Sequence, residues 1–315
     1  MSVTPLESSK IIAVVGPTAS GKTALAVELA KMLDGEIISC DSMQVYRRMD
    51  VGTAKVTKEE MQGIPHHMID IVEPTVDFSC ADYAVLAKNA VEDVLRRGKT
   101  PIFCGGTGLY LDSVIGISAF SDAGRDEAFR EEMSKKSPSE LHAMLTEIDP
   151  TAAEATHMNN VKRVIRALEI FHVTGKTKTE WDEESKKLTP PYDCTVIGLD
   201  FRSRETLYSR IDKRVDIMLE FGLAGEIEAL DCPEFRASTA SDGIGYKEYL
   251  AYLDGKVSRE EAIDKIKQAS RNYAKRQLTW FRRNENVNWI YVDDFEGENK
   301  FKFIVNSALN IINNI

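Results

Sequence analysis

The stretch Gly16-Pro17-Thr18-Ala19-Ser20-Gly21-Lys22-Thr23 fits the pattern G-x-x-x-x-G-K-[ST], whose chemistry is the binding of phosphate. In such a turn, backbone N–H groups and the N-terminus of the following helix converge on phosphate oxygens. Gly16, Thr18, Ala19, Ser20 and Gly21 would form the cradle, and Lys22 would add a point charge. The Thr23 hydroxyl is the candidate ligand of Mg²⁺. The flanks support this reading. Ile11-Ile12-Ala13-Val14-Val15 is a short all-apolar run that predicts a buried parallel strand, and Leu25, Leu29 and Leu33 recur behind the loop at helical spacing. Strand, glycine-rich turn and helix in that order imply a chain that binds a di- or triphosphate.

Other reactive groups fall at the ends of other predicted strands. Glu36-Ile37-Ile38-Ser39-Cys40 reads as a strand ending at Asp41, and Pro101-Ile102-Phe103-Cys104 as another that runs into Gly105-Gly106-Thr107-Gly108. In open α/β sheets, strand C-termini line the ligand crevice, so Asp41 and Thr107 should open beside the phosphate loop. A carboxylate there can bind Mg²⁺ through water or take a proton from a nucleophile. Its structural alternative is a helix N-cap. Gln44, in the same turn, can offer both a donor and an acceptor to a base edge. Arg210 and Arg214 lie at i, i+4 on one helix face, where surface ion pairs with Asp212 or Asp216 are the ordinary role.

The remaining composition sets limits. The 315 residues carry a net charge of −10, which is unfavourable for indiscriminate binding of nucleic acid and would require any such partner to meet a local basic patch. Five scattered cysteines without a C-x-x-C pair argue against a disulfide framework or zinc site and for a reducing, cytoplasmic setting. Met1 to Lys10 is polar, unlike a signal peptide, and no apolar run is long enough to span a membrane. His66-His67 could suggest a metal site, but adjacent imidazoles in an extended run point to opposite sides. They are expected to support a loop or the donor pocket, and His157 and His172 read as structural.

The element pattern divides the chain. Residues 1–120 alternate strand and helix, including a helix over 79–97 with Tyr83, Leu86, Ala90, Val91 and Val94 on its apolar side. Residues 121–190 are charge-rich and helical in pattern, and Thr195-Val196-Ile197-Gly198-Leu199 restores a strand. The expected fold is α/β: a P-loop NTPase-like parallel sheet core flanked by helices (1–120 and 191–315), carrying a helical insertion domain (121–190).

Taken together, GPTASGKT (16–23), DSMQVY (41–46), GTAK (52–55), HHMID (66–70), GGTGLY (105–110), NNVKRVIRALE (159–169), GIGYKE (243–248) and YAKRQLTWFRR (273–283) resemble one family, the tRNA dimethylallyltransferases. Met158 departs from the proline common there. The C-terminal zinc finger of eukaryotic relatives is missing, so the resemblance is to the bacterial form. It implies transfer of a dimethylallyl group from dimethylallyl diphosphate to N6 of the adenosine 3′ to the anticodon, with Mg²⁺ as cofactor and the tRNA anticodon stem-loop as partner. Lys22 and Mg²⁺ on Thr23 would neutralise the departing diphosphate, Arg214 would contact it, and Asp41 would act as base. Ser42, Met43, Gln44 and Thr107 would meet the adenine. Arg130, Lys162, Arg163 and Arg166 in the insertion are assigned to the tRNA. Residues 271–283 hold five cations and no acid, and Arg271, Lys275 and Arg282 form a second candidate tRNA face. Tyr273 and Trp280 read as core. A monomer is expected. The alternatives are a P-loop kinase acting on a nucleotide or small molecule, and an RNA-binding protein switched by nucleotide.

Overall fold

The structure is a computed structural model that describes residues 10–116, 124–185 and 189–314. It divides into two compact units, Met1–Val114 with Tyr192–Ile315, and Ile115–Pro191. The second unit begins at Ile115, where a helix of the first ends, rather than at 121; that expected boundary and the polar N-terminal segment through residue 9 lie outside the described residues.

The first unit opens with β1 (Lys10–Val15), α1 (Lys22–Met32), β2 (Gly35–Ser39), α2 (Lys58–Met61), β3 (His66–His67), α3 (Cys80–Arg96), β4 (Thr100–Gly105) and α4 (Gly108–Ile115). The second unit holds α5 (Glu127–Ser134), α6 (Pro138–Ile148), α7 (Pro150–Glu154), α8 (Val161–Thr174) and α9 (Lys178–Ser185). The first unit resumes with β5 (Asp193–Asp200), α10 (Arg204–Glu220), α11 (Leu223–Leu230), α12 (Pro233–Ala237), α13 (Tyr246–Leu253), α14 (Arg259–Phe281), β6 (Val287–Tyr291) and α15 (Lys300–Asn313).

The strands form one sheet in the order β3-β2-β4-β1-β5-β6, every pairing parallel. Central β1 is apolar through Ile11–Val15 and fully buried there, because helices cover both faces of a parallel sheet. The connections from β1 and β4 leave toward opposite sides of β1, so the crevice opens at the C-terminal end of β1, where the phosphate loop begins. Leu25 and Leu29 of α1 seal that face of the sheet with Ile12, Val14, Ile197 and Leu199.

Helix α3 starts at Ser79, whose hydroxyl accepts from Asp82 N while the Asp82 carboxylate accepts from Ser79 N. Its buried line is Tyr83, Ala84, Ala87, Val91 and Val94; Leu86, expected inside, is exposed. The two-residue β3 carries no apolar alternation and is held by pairing with β2 alone, so its sequence reads only as extended.

In the second unit, Met133, Leu141, Leu145, Val164 and Leu168 form the core. Fully buried Glu169 accepts from Arg130 Nε at 2.7 Å, Arg130 Nη2 at 2.8 Å and Arg166 Nη1 at 2.5 Å. Two of the four insertion cations read as tRNA ligands thus hold a buried carboxylate: Arg130 ties α5 to α8, and Arg166 pairs within α8 while donating to the Gly124 carbonyl. Breaking a buried pair costs about 3–5 kcal/mol, more than an exposed phosphate contact would return. His172 stacks on Phe129 with centroids 4.4 Å apart, a packing role.

At the β2 edge, Glu36 has a side-chain exposure of 3 % and is held by Arg97 and by His67 Nε2 at 2.7 Å. The Arg97 hydrogen bonds, against the opposing effect of burial, hold its carboxyl down at about 2. Its stabilising contribution is therefore full above pH 4.5 and is lost as pH falls toward 2. Glu36→Gln should lower stability at pH 7 by about 3 kcal/mol and flatten the decline between pH 5 and 3, measured by urea unfolding across pH.

Candidate active site

The phosphate loop leaves β1 at Gly16, whose φ of 139° and close approach to the Leu199 carbonyl on β5 exclude a side chain. Ala19 takes a left-handed φ of 62°, a conformation that turns successive N–H groups into one concavity. The Ser20 hydroxyl is buried with no partner among the described residues. Lys22 opens α1, its Nζ donating to the Pro17 carbonyl at 2.7 Å. Burial pushes its ammonium down to about 8; Arg214 adds to the effect and Asp41 opposes it.

Two cavities meet at this loop. One, of about 320 Å³, is lined by Thr18, Lys22, Thr23, Asp41, Ser42, Met43, Gln44, Arg214, Tyr273 and Arg276, among others. The other, of about 720 Å³, is lined by Ala19 to Ala24, the 50–57 segment, α10 from Arg210 to Met218, and Phe221 just beyond it. Lys22, Thr23, Val56, Arg214 and Met218 line both, so they stand where the two spaces adjoin. Parallel strands explain this convergence: β1, β2 and β4 all end at one edge, bringing Lys22, Asp41 and the Thr107 turn together.

Asp41 Oδ1 accepts from Met43 N at 2.9 Å, a turn two residues on rather than a helix cap. Its Oδ2 accepts no hydrogen bond among the described residues. Thr107 Oγ1 accepts from Ser42 N at 3.0 Å, locking the Asp41 turn to the end of β4. Gln44 is less available than its type suggests: its Oε1 accepts from Ser39 Oγ at 3.1 Å and its Nε2 donates to Thr53 O at 3.4 Å. His66 lines the same cavity, with Nδ1 donating to the Ile64 carbonyl at 2.9 Å. No group of three or more metal-ligating side chains occurs among the described residues.

Arg214 faces the phosphate loop and makes no ion pair among the described residues. Asp212 is taken by Arg271 at 2.5 Å and Asp216 by Lys267 at 2.6 Å, which removes the alternative of a surface pair. Burial lowers the Arg214 pKa, against the pull of Asp41 and Glu60. Arg210 donates to Ala19 O at 2.9 Å, bracing the loop from outside.

The basic run 271–283 is not uncompensated, contrary to its sequence. Arg271 pairs with Asp212, and Arg282 at 2.7 Å with Asp200, a fully buried carboxylate also held by Arg204. Lys275 lies 5.7 Å from the Tyr208 ring centroid and Arg283 3.9 Å from that of Trp280. Tyr273 and Trp280 are half-buried rather than core; the buried line of α14 is Ala262, Ile266, Ala274, Gln277, Leu278 and Phe281. Tyr273 instead faces the cavity, its hydroxyl 3.5 Å from Thr107 Oγ1.

Two contributors are not among the expected site residues. Arg276 lines the first cavity, and its place beside Tyr273 follows from helical spacing once α14 is known to face the site. The Glu226 carboxylate accepts from the N–H groups of Asp50, Val51 and Gly52 at 2.7, 2.7 and 2.9 Å, and from Tyr246 Oη at 2.6 Å. It holds the 50–57 wall of the larger cavity from α11, and no local signal announces it.

A phosphate cradle joined to a carboxylate-bearing pocket makes this a P-loop α/β enzyme that acts on a phosphorylated substrate with a second reactant alongside. A family model described as IPP transferase matches residues 44–284, and the chain belongs to that family. It is 49 % identical to the tRNA dimethylallyltransferase of Anoxybacillus flavithermus over 303 residues, covering 96 % of each chain. Against the Bacillus velezensis tRNA dimethylallyltransferase the identity is 51 % over 283 residues, 89 % of this chain and 90 % of that one. Among solved structures it is similar to the full-length tRNA isopentenylpyrophosphate transferase from Bacillus halodurans, with TM-score 0.73, 46 % identity and 97 % of each chain covered. A eukaryotic dimethylallyltransferase acting on tRNA gives TM-score 0.80 at 32 % identity, over 90 % of this chain and 74 % of that one.

Lys22 is charged below its pKa of about 8, so kcat/KM for the phosphorylated substrate should fall as pH rises through that value. Lys22→Met should remove this alkaline limb and lower kcat/KM throughout, read from initial rates between pH 6 and 10.

Proposed function

We propose that the protein transfers a dimethylallyl group from dimethylallyl diphosphate to N6 of the adenosine 3′ to the anticodon of tRNA, releasing diphosphate. The observation that carries this is the opening of the phosphate loop and of the Asp41 turn, which Thr107 locks to the end of β4, onto one cavity. A kinase acting on a small acceptor would leave the homologues' shared name unexplained.

In this reading the N–H groups from Ala19 to Thr23 bind the diphosphate, with Lys22 and Arg214 flanking it. Charge grows on the diphosphate as its C–O bond to the allylic carbon breaks, and fixed cations in a water-poor site favour that change. The attacking amine is weak because its lone pair is delocalised into the purine ring. As the N6–carbon bond forms, Asp41 Oδ2 takes the N6 proton, while its Oδ1 stays on Met43 N. Thr107 and Ser42 are placed to orient the base, which must leave the anticodon stack at a cost of about a few kcal/mol.

Mg²⁺ fits the donor set. Thr23 supplies one oxygen beside the phosphate site, and this ion keeps several waters and needs few protein ligands. When bound it would neutralise phosphate charge. Lys162 and Arg163 are exposed and make no ion pair among the described residues, which favours them over Arg130 and Arg166 as tRNA phosphate contacts. In the first unit, Lys275 is the better candidate than Arg271 or Arg282, both committed to carboxylates. The tRNA substrate supports a cytoplasmic location.

Asp41→Asn should reduce kcat about 10²- to 10⁴-fold with KM for both substrates nearly unchanged. Labelled dimethylallyl diphosphate and an anticodon stem-loop provide the assay. Phosphate passing from ATP to a small acceptor, with no label in RNA, would refute the reading. Lys162→Ala with Arg163→Ala should weaken RNA binding and reduce its salt slope by about 1 per lost phosphate contact, with melting temperature unchanged. Arg130→Ala should instead lower the melting temperature.

A further inference from the structure

Helix α14 meets three consecutive residues of the β4–α4 turn with side chains at i, i+4 and i+7. Tyr273 reaches Thr107, Gln277 packs on Gly106, and Trp280 packs on Gly108. A Cβ at Gly106 would overlap the Gln277 amide nitrogen, and one at Gly108 would overlap the Trp280 ring. The two glycines are therefore clearances for α14.

Gln277 is 4 % exposed and polar on the buried line of its helix, and it touches more than this turn. Its Oε1 accepts from Thr18 N at 2.9 Å, and its Nε2 donates to Gly106 O at 3.1 Å. Thr18 lies in the phosphate loop, whereas Gly106 precedes Thr107. One side chain thus spans the segment that would hold the diphosphate and the segment that would orient the amine. A terminal amide is suited to this, with a carbonyl for the N–H and an NH₂ for the C=O. A carboxylate lacks the donor, and an apolar side chain of equal length lacks both.

We propose that Gln277 is a positioning residue that sets the spacing between the phosphate loop and the Thr107 turn, and thereby the line of attack between the two substrates. The effect on turnover rests on the transferase reading given above; the mechanical coupling does not. Displacement is sensitive to such spacing, since a misplacement of about 1 Å can cost on the order of 10²-fold in rate. Loss of Gln277 should therefore lower kcat about 10- to 100-fold and leave KM for donor and RNA within about threefold, because the binding groups themselves remain.

Gln277→Met preserves length and removes both hydrogen bonds. Kinetics with dimethylallyl diphosphate and an anticodon stem-loop should be paired with hydrogen–deuterium exchange of the protein alone, followed in peptides spanning 16–23 and 105–110. Faster exchange in both peptides, with the kcat loss above, is the expected result. Gly106→Ala should impose similar damage alone and little further damage on Gln277→Ala, where the overlapping atoms are gone. If Gln277→Met fails to fold, Gln277→Glu keeps the bond from Thr18 and should loosen 105–110 selectively. Unchanged exchange in both peptides, or a kcat within twofold of the active parent, would overturn the proposal. A parent that moves no prenyl group would refute the transferase reading instead, and exchange alone would then decide the coupling, loosening of both peptides supporting it and unchanged exchange refuting it.

Discussion

A diphosphate needs many N–H donors aimed at one point, and a free chain cannot hold them there. Here the aim is set by the press of the phosphate loop against the sheet. Gly16 passes so close to the Leu199 carbonyl of β5 that no side chain fits, and Arg210 braces the loop at Ala19 from outside. Central β1, buried on both faces, delivers the loop to this place. The pocket beside it exists because β2 and β4 run parallel to β1 and end at the same edge.

Within each unit the protein uses carboxylates as anchors. Glu36 holds Arg97 and His67, Asp200 holds Arg204 and Arg282, Glu169 holds Arg130 and Arg166, and Glu226 gathers three backbone N–H groups. Each replaces the water that a buried charge has lost, and removing one partner would strand the other. In a chain of net charge −10 this sorts the cations. Those bonded to buried carboxylates build the scaffold, while Lys22, Arg214, Lys162, Arg163 and Lys275 make no ion pair among the described residues.

The two cavities divide the chemistry between them. The larger carries the loop N–H groups and the cations of α10; the smaller carries Asp41, Ser42 and Tyr273. Lys22, Thr23 and Arg214 line both, where charge would develop as the allylic C–O bond breaks. Burial tunes the groups accordingly. It lowers the Lys22 pKa to about 8 and raises that of Tyr273 to about 12, so the phenol stays a neutral hydrogen-bonding group beside the base position.

By itself the sequence determined the phosphate loop, the strands that carry it and Asp41, the helical insertion and the family, because these are written in contiguous residues with their own period or spacing. Only the tertiary structure decided which cations are free. Arg271 lies 59 positions from Asp212 and Arg282 lies 82 from Asp200, so no local pattern reveals those pairs. Gln277 reads as one more polar residue on a long helix until folding carries it across 259 positions to Thr18. Glu226 likewise gains its role only when α11 comes to rest against the 50–52 backbone. Covalent order records what each residue can do, but a hydrogen bond acts over about 3 Å, and only packing brings distant residues that close.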